Sequence, residues 1–190
     1  MPLLEMRDAS FTRDATTIVH PLSLHLERGE RLALPFSSTR EAAAAALLAS
    51  GIVKATHGRV FISEFDPRIQ PVQAKRLVGY VPYDAVAHEF ATFEDYITYR
   101  SALWAMDAGA AVGLARALLA RLDGVHEAFA RPLIGALVGH PALLVLDRPL
   151  ALYAPQIARV TSGLAIFSTH ESTVQARTFE DGYARAVAPA

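Results

Sequence analysis

The sequence predicts an α/β protein: a mixed, largely parallel sheet flanked by helices, with an antiparallel N-terminal portion. Three stretches carry that prediction. Leu143-Leu144-Val145-Leu146-Asp147 sets four apolar residues in a row, the mark of a strand covered on both faces, as parallel strands are. Leu164-Ala165-Ile166-Phe167-Ser168 has the same character. Leu22-Ser23-Leu24-His25-Leu26-Glu27 instead alternates with a period of two, as a half-buried strand does.

The remaining elements follow in chain order. Leu3 to Phe11 predicts an edge strand, continued by Thr16 to Val19 after a turn near Asp14. Arg28-Gly29-Glu30 turns the chain into a short central strand, Arg31 to Leu34. Pro35 to Thr39 reads as a loop. Glu41 to Ser50 is a helix, nearly all Ala and Leu, with Ser38 or Thr39 as N-cap, Glu41 in its first turn and Gly51 at its end. Arg59 to Ile62 is a strand, Asp66 to Gln73 a Pro-bounded loop or short helix, and Leu77 to Val81 a buried strand stopped by Pro82. Three helices follow. The first, Glu94 to Met106, offers Ile97, Leu103 and Trp104 for packing; the second spans Ala108 to Leu122; the third spans His126 to Val138, opened or bent near Arg131-Pro132. Ala154 to Val160 is a last short helix, and the tail from Val174 shows little periodicity.

Composition narrows the function classes. The chain has 190 residues, enough for one domain with a core. It is 52% hydrophobic and 19% charged, with a mean hydropathy of +0.25; part of this excess is helical alanine, and the rest points to an apolar patch for a partner. A formal charge of −1, with Arg28, Arg31, Lys54 and Arg59 scattered, argues against a nucleic-acid partner. The absence of cysteine removes disulfides, thiolate metal sites and Cys nucleophiles. The seven histidines show no i,i+4 pair of the kind that binds zinc. Ser168-Thr169-His170 with Asp147 has the residue types of a hydrolase triad but no GxSxG elbow. No leader is read in Met1 to Asp8 and no apolar run approaches the ~20 residues that cross a bilayer, so a cytoplasmic location is expected.

Several short motifs, in order, resemble an ABC-transporter nucleotide-binding domain, a P-loop ATPase family. Leu26 to Leu34 resembles the strand that feeds the phosphate loop, and Ser50 to Val60 the stretch after the P-loop helix. Val78-Gly79-Tyr80-Val81-Pro82 resembles the run into the Q-loop, and Thr92-Phe93-Glu94-Asp95 the opening of the helical subdomain. Ala136 to Pro141 followed by Leu143 to Pro149 resembles "ALVGDPxLLLLDEP", the Walker B region. Ile166 to Glu171 resembles the switch-histidine segment. The resemblance covers nearly the whole chain. It implies a P-loop-NTPase-like fold over residues 1–190 as a single domain, with an α/β core in 1–83 and 136–190 and a reduced helical subdomain in 84–135.

The functional positions of the family are largely replaced. The "GxxGxGKST" loop falls on Phe36 to Ala44. A bulky ring, Phe36, replaces its first glycine, an acid, Glu41, its last, Ala42 the phosphate-binding lysine and Ala43 the magnesium-holding hydroxyl. Tyr83 stands for the Q-loop glutamine, Asp123-Gly124-Val125-His126 for the "LSGGQ" signature, and Ala151-Leu152-Tyr153-Ala154 for the D-loop "SALD". Arg148 stands for the general-base glutamate; a guanidinium cannot accept water's proton.

What survives is vestigial. Asp147 keeps the family's magnesium-ligand identity, against a plain reading as a strand-end carboxylate paired with Arg148 or capping the next turn. His170 keeps the γ-phosphate-sensor identity, against a hydrogen-bonded strand-end histidine. Ser37, Ser38, Thr39 and Arg40 are the candidates for anion binding at a helix start, against a capped terminus, and Phe11 is the candidate to stack on adenine. The resemblance thus implies a degenerate member, a pseudo-ATPase without catalysis, ATP or magnesium. It would pair as a homo- or hetero-dimer with an ABC-type ATPase, or dock on a membrane permease at the inner face of the membrane through the Glu94 to Leu122 helices. Two alternatives stand beside it: an ATP- and magnesium-binding ATPase with atypical residues, Arg40 and Arg148 serving the phosphates, and a structural or regulatory homodimer unrelated to transport.

Overall fold

The computed structural model describes residues 1–83, 90–122, 124–149, 154–157, 160–161 and 163–168. Its strands are β1 (Leu4–Arg13), β2 (Thr16–Leu26), β3 (Arg31–Pro35), β4 (His57–Ile62), β5 (Val78–Val81), β6 (Leu143–Asp147) and β7 (Leu164–Ser168). They form two sheets. One is antiparallel with order β2-β1-β4, and the other is parallel with order β3-β7-β6-β5. The predicted class, a mixed parallel and antiparallel architecture with the antiparallel part N-terminal, is the observed one.

Strand placement differs in three respects. The Leu3 to Phe11 segment is central, because β2 folds back along one side of β1 and β4 fills the other. Thr16 to Val19 opens β2 instead of prolonging β1. The reversal lies at Asp14 and Ala15, whose φ of 50° and 59° are the two left-handed residues a tight hairpin needs. β2 runs unbroken through Pro21, which an edge strand tolerates. Arg31 to Leu34, expected to be central, is an end strand of the parallel sheet among the described residues.

The parallel sheet is buried on both faces, as its apolar runs require. Leu32, Leu34, Leu143, Val145, Ala165 and Phe167 enter one core; Ala33, Val81, Leu144, Leu146 and Leu164 enter another. Helix α1 (Thr39–Ala49) fills the first core between the two sheets, contacting β1, β2, β6 and β7. That sandwiched position explains its composition. Ala42, Ala44, Ala45, Ala46, Leu48 and Ala49 are all buried, and methyl side chains let both sheets approach the helix. Ser50 caps α1, and Gly51 leaves it at φ 69°.

A short helix, α2 (Pro71–Lys75), precedes β5. The second core is covered by α3 (Phe93–Leu103), α4 (Ala108–Arg121) and α5 (Glu127–Leu137), N-capped by Thr92, Asp107 and His126. α5 continues through Pro132 without a break: the proline is buried among Leu133, Ile134 and Leu137, and packing offsets the lost backbone bond. Its Gly135 receives the Tyr96 ring of α3, and Arg100 Nε donates to the Gly135 carbonyl at 3.0 Å. Trp104 lies against Gly139, but Leu103, expected in the packing, is 60% exposed. Helix α6 (Ala154–Ile157) leads toward β7.

Candidate functional site at the carboxyl edge of the parallel sheet

Parallel sheets offer ligands the crevice beyond their carboxyl ends, where loops and helix starts converge. In this chain that edge carries Phe36 after β3, β7 with Phe167, Asp147 at the end of β6 and Tyr83 after β5. Every family position named above that falls among these residues can therefore be located.

Asp147 is a buried carboxylate, 4% exposed. Among the described residues it is held by its neighbour in sequence: Arg148 Nε donates to Oδ1 at 2.7 Å and Arg148 Nη2 to Oδ2 at 3.0 Å. The arginine reaches back because its backbone is left-handed, with φ 50°. Its N–H donates to the Phe167 carbonyl at 2.6 Å, which fixes that conformation to β7. The Tyr83 ring lies beside the guanidinium, centroid 4.5 Å from Cζ. Paired with Asp147, the guanidinium is held still more firmly protonated than usual. The positions of the magnesium aspartate, the general base and the Q-loop residue thus meet in one cluster whose charges are balanced internally. A carboxylate whose two oxygens both face a fixed cation is a poor seat for a divalent ion. Among the described residues no group of three or more His, Asp or Glu side chains is placed to hold a metal.

The helix-start candidates are organised by local capping. Only Phe36, Ser37 and Ser38 separate β3 from α1, so Thr39 and Arg40 are helical and exposed, not loop residues. Ser38 is the N-cap: its hydroxyl accepts from the Glu41 N–H at 3.1 Å. Ser37 donates to the Glu41 carboxylate at 3.0 Å. Glu41 thereby places a negative charge at the positive end of the helix, where a phosphate would otherwise be attracted. Ala42, at the lysine position, is fully buried. Phe36 is buried as well, its ring stacked on Phe167 with centroids 6.0 Å apart and planes 24° from parallel. The bulk that replaces the first glycine is core packing.

Phe11 lies on β1 opposite Val19, partly buried against the core that holds α1. Gly124, at the signature position, adopts φ 78° just before the His126 cap, whose Nδ1 accepts from the Ala128 N–H at 3.2 Å. His170, Asp123 and Ala151 to Tyr153 lie outside the described residues. In the sequence Tyr83, Arg148 and Phe36 read as separate departures from the family pattern. Their assembly was missed, because residues so far apart in sequence share an edge only through sheet order. The one available signal was the adjacency of Asp147 and Arg148.

No family model matches the chain, and no curated protein matches it. Solved structures do resemble it. An ATP-binding subunit of an ABC transporter superposes with a TM-score of 0.70 at 17% identity, covering 87% of this chain and 79% of that one. CbiO1 from Clostridium perfringens, part of the ABC transporter complex CbiONQ, gives 0.72 at 15% identity, covering 92% and 80%. The ATP-binding cassette MJ0796, in a dimeric post-hydrolysis state bound to ADP and phosphate, gives 0.71 at 12% identity, covering 88% of each chain. At these identities the likeness is one of fold: the chain has the P-loop-NTPase-like architecture of ABC-transporter ATPase subunits.

Proposed function

We propose that the chain is a non-catalytic subunit of the ABC type, which works through association and not through nucleotide hydrolysis. The observation that carries this reading is the Asp147–Arg148 pair. The carboxylate that would hold magnesium is neutralised from within the chain, and the residue that would activate water is the cation that does so. Glu41 at the start of α1 and the buried Ala42 support it from the phosphate side.

The architecture indicates what remains for such a chain to do. Proteins of this fold include a component of a transporter complex and a dimer, by their descriptions. In this reading the chain pairs with an ABC-type ATPase, or with a second copy, and sits at the inner face of a membrane through a permease. Tyr99 and Leu103 on α3 and Leu119 on α4 are 50%, 60% and 40% exposed, an apolar offering on the helices assigned to docking. Among the described residues no helix is long and apolar enough to cross a membrane.

Phosphate release from MgATP tests the catalytic half of the proposal. The purified chain and its Asp147→Ala variant are expected to give the same background rate. Release that depends on Asp147 would overturn the reading.

A further inference from the structure

The four strands of the parallel sheet end in residues that touch one another in the order of the sheet. After β3, the Phe36 ring stacks on Phe167 of β7 at 6.0 Å. The Phe167 carbonyl accepts from the Arg148 N–H, just past β6, at 2.6 Å. The Arg148 guanidinium grips Asp147 and carries the Tyr83 ring, just past β5, at 4.5 Å. The path β3-β7-β6-β5 is therefore crossed by a continuous line of contacts: ring on ring, backbone hydrogen bond, ion pair, cation on ring.

We infer that this line is a built-in strap, which holds the carboxyl edge of the sheet closed without a ligand. The links differ in kind: the backbone bond continues the β6–β7 ladder, and the side-chain contacts on either side extend it to β3 and β5. Arg148 is the cation beside the buried carboxylate, and the two phenylalanine rings fill space at the phosphate-loop end. Arg148 pays for its place with a left-handed backbone, φ 50°, a conformation that persists in a non-glycine residue only where surrounding contacts impose it. The strap concerns the conformation of the edge alone and does not rest on the functional reading: an edge held this way would stay held even if nucleotide bound elsewhere on the chain.

Amide hydrogen exchange on the full chain tests it, with Tyr83→Leu as the first variant. Tyr83 is 63% exposed, so its replacement leaves the core intact. The strap predicts that the Arg148 amide exchanges roughly 3- to 10-fold faster in the variant, the range a cation–ring contact supports, while amides of β1 are unchanged. It also predicts that millimolar MgATP leaves Arg148 exchange in the parent chain unaltered. Phe36→Leu, which keeps an apolar side chain in the core, is a second cut at the other end and is expected to speed the same amide. Unchanged Arg148 exchange in both variants would overturn the strap, as would further protection of that amide by MgATP. Asp147-dependent phosphate release with no change in Arg148 exchange would leave the strap standing and sink the non-catalytic reading alone.

Discussion

Arg148 decides the chemistry at the residue scale. Removing it leaves Asp147 buried without its cation, so Arg148→Ala is expected to cost about 2–3 kcal/mol in denaturant unfolding, below the range for fully buried pairs because the arginine side chain is 21% exposed. Arg148→Gly loses the same pair but suits φ 50°, so it should be about 1 kcal/mol more stable than Arg148→Ala. Equal stabilities would show that the left-handed backbone carries no cost. The obvious repair of the phosphate site is closed by packing. Ala42 is fully buried, so Ala42→Lys should destabilise by about 3 kcal/mol, from overpacking and a desolvated ammonium, without conferring ATP binding. The departures from the family pattern were legible because each is a local fact of sequence: Phe36, Glu41 and Ala42 lack the groups that a phosphate loop uses, and Arg148 cannot accept a proton as a general base. What Arg148 does instead was legible only in part. Its pairing with Asp147 follows from adjacency, but its contact with Tyr83 depends on which strands are neighbours.

At the scale of elements, apolar patterning located most strands and helices and left their order in the sheets open. Leu3 to Phe11 has the mixed character of an edge strand, yet β1 is central, with its polar residues engaged within the strand and across to both neighbours. Asp8 accepts from the Ser23 hydroxyl at 2.9 Å, and Arg7 pairs with Glu5 and lies over Phe61. The seating of α3 on α5 depends on Gly135, whose missing side chain makes room for Tyr96. Gly135→Ala should displace the Tyr96 ring, cost about 1–3 kcal/mol and shift the fluorescence of Trp104, the chain's one tryptophan, on the turn after α3. Unaltered emission together with unaltered stability would mean that α3 is not seated there. The loop before α2 is fixed by Asp66, 4% exposed, whose carboxylate takes hydrogen bonds from the Arg68 side chain and N–H. Those bonds, the side-chain ones first, hold Asp66 below the usual carboxylate range. A carboxyl group depressed in the folded state contributes stability above its unfolded pKa of about 3.9 and loses it as pH falls through the folded value. Asp66→Asn keeps an oxygen for the Arg68 N–H and loses the charge, so its stability should decline less steeply in acid than that of the parent. Parallel decline would assign the acid sensitivity to other carboxylates.

For the whole molecule, the sequence-level reading of an α/β fold with an N-terminal antiparallel part is the architecture found, because landmarks in order constrain topology even when each is weak. The two cores explain how the fold is held together. α1 is held by alanines packed between two sheets, Ala42 among them, with Phe36 in the same core, and the helical face is held by Ile97, Leu133 and Ile134. Residues such as Phe36 and Ala42 serve the core at positions where the resemblance expects phosphate contacts, and we propose that the fold is kept without catalysis. Calorimetric titration of the full chain with ATP and magnesium, repeated with ADP, tests that claim most directly. No saturable heat up to millimolar nucleotide and no change in thermal midpoint are expected, since a ligand that binds the folded state must raise it. Saturable binding, abolished by Asp147→Ala, would contradict it.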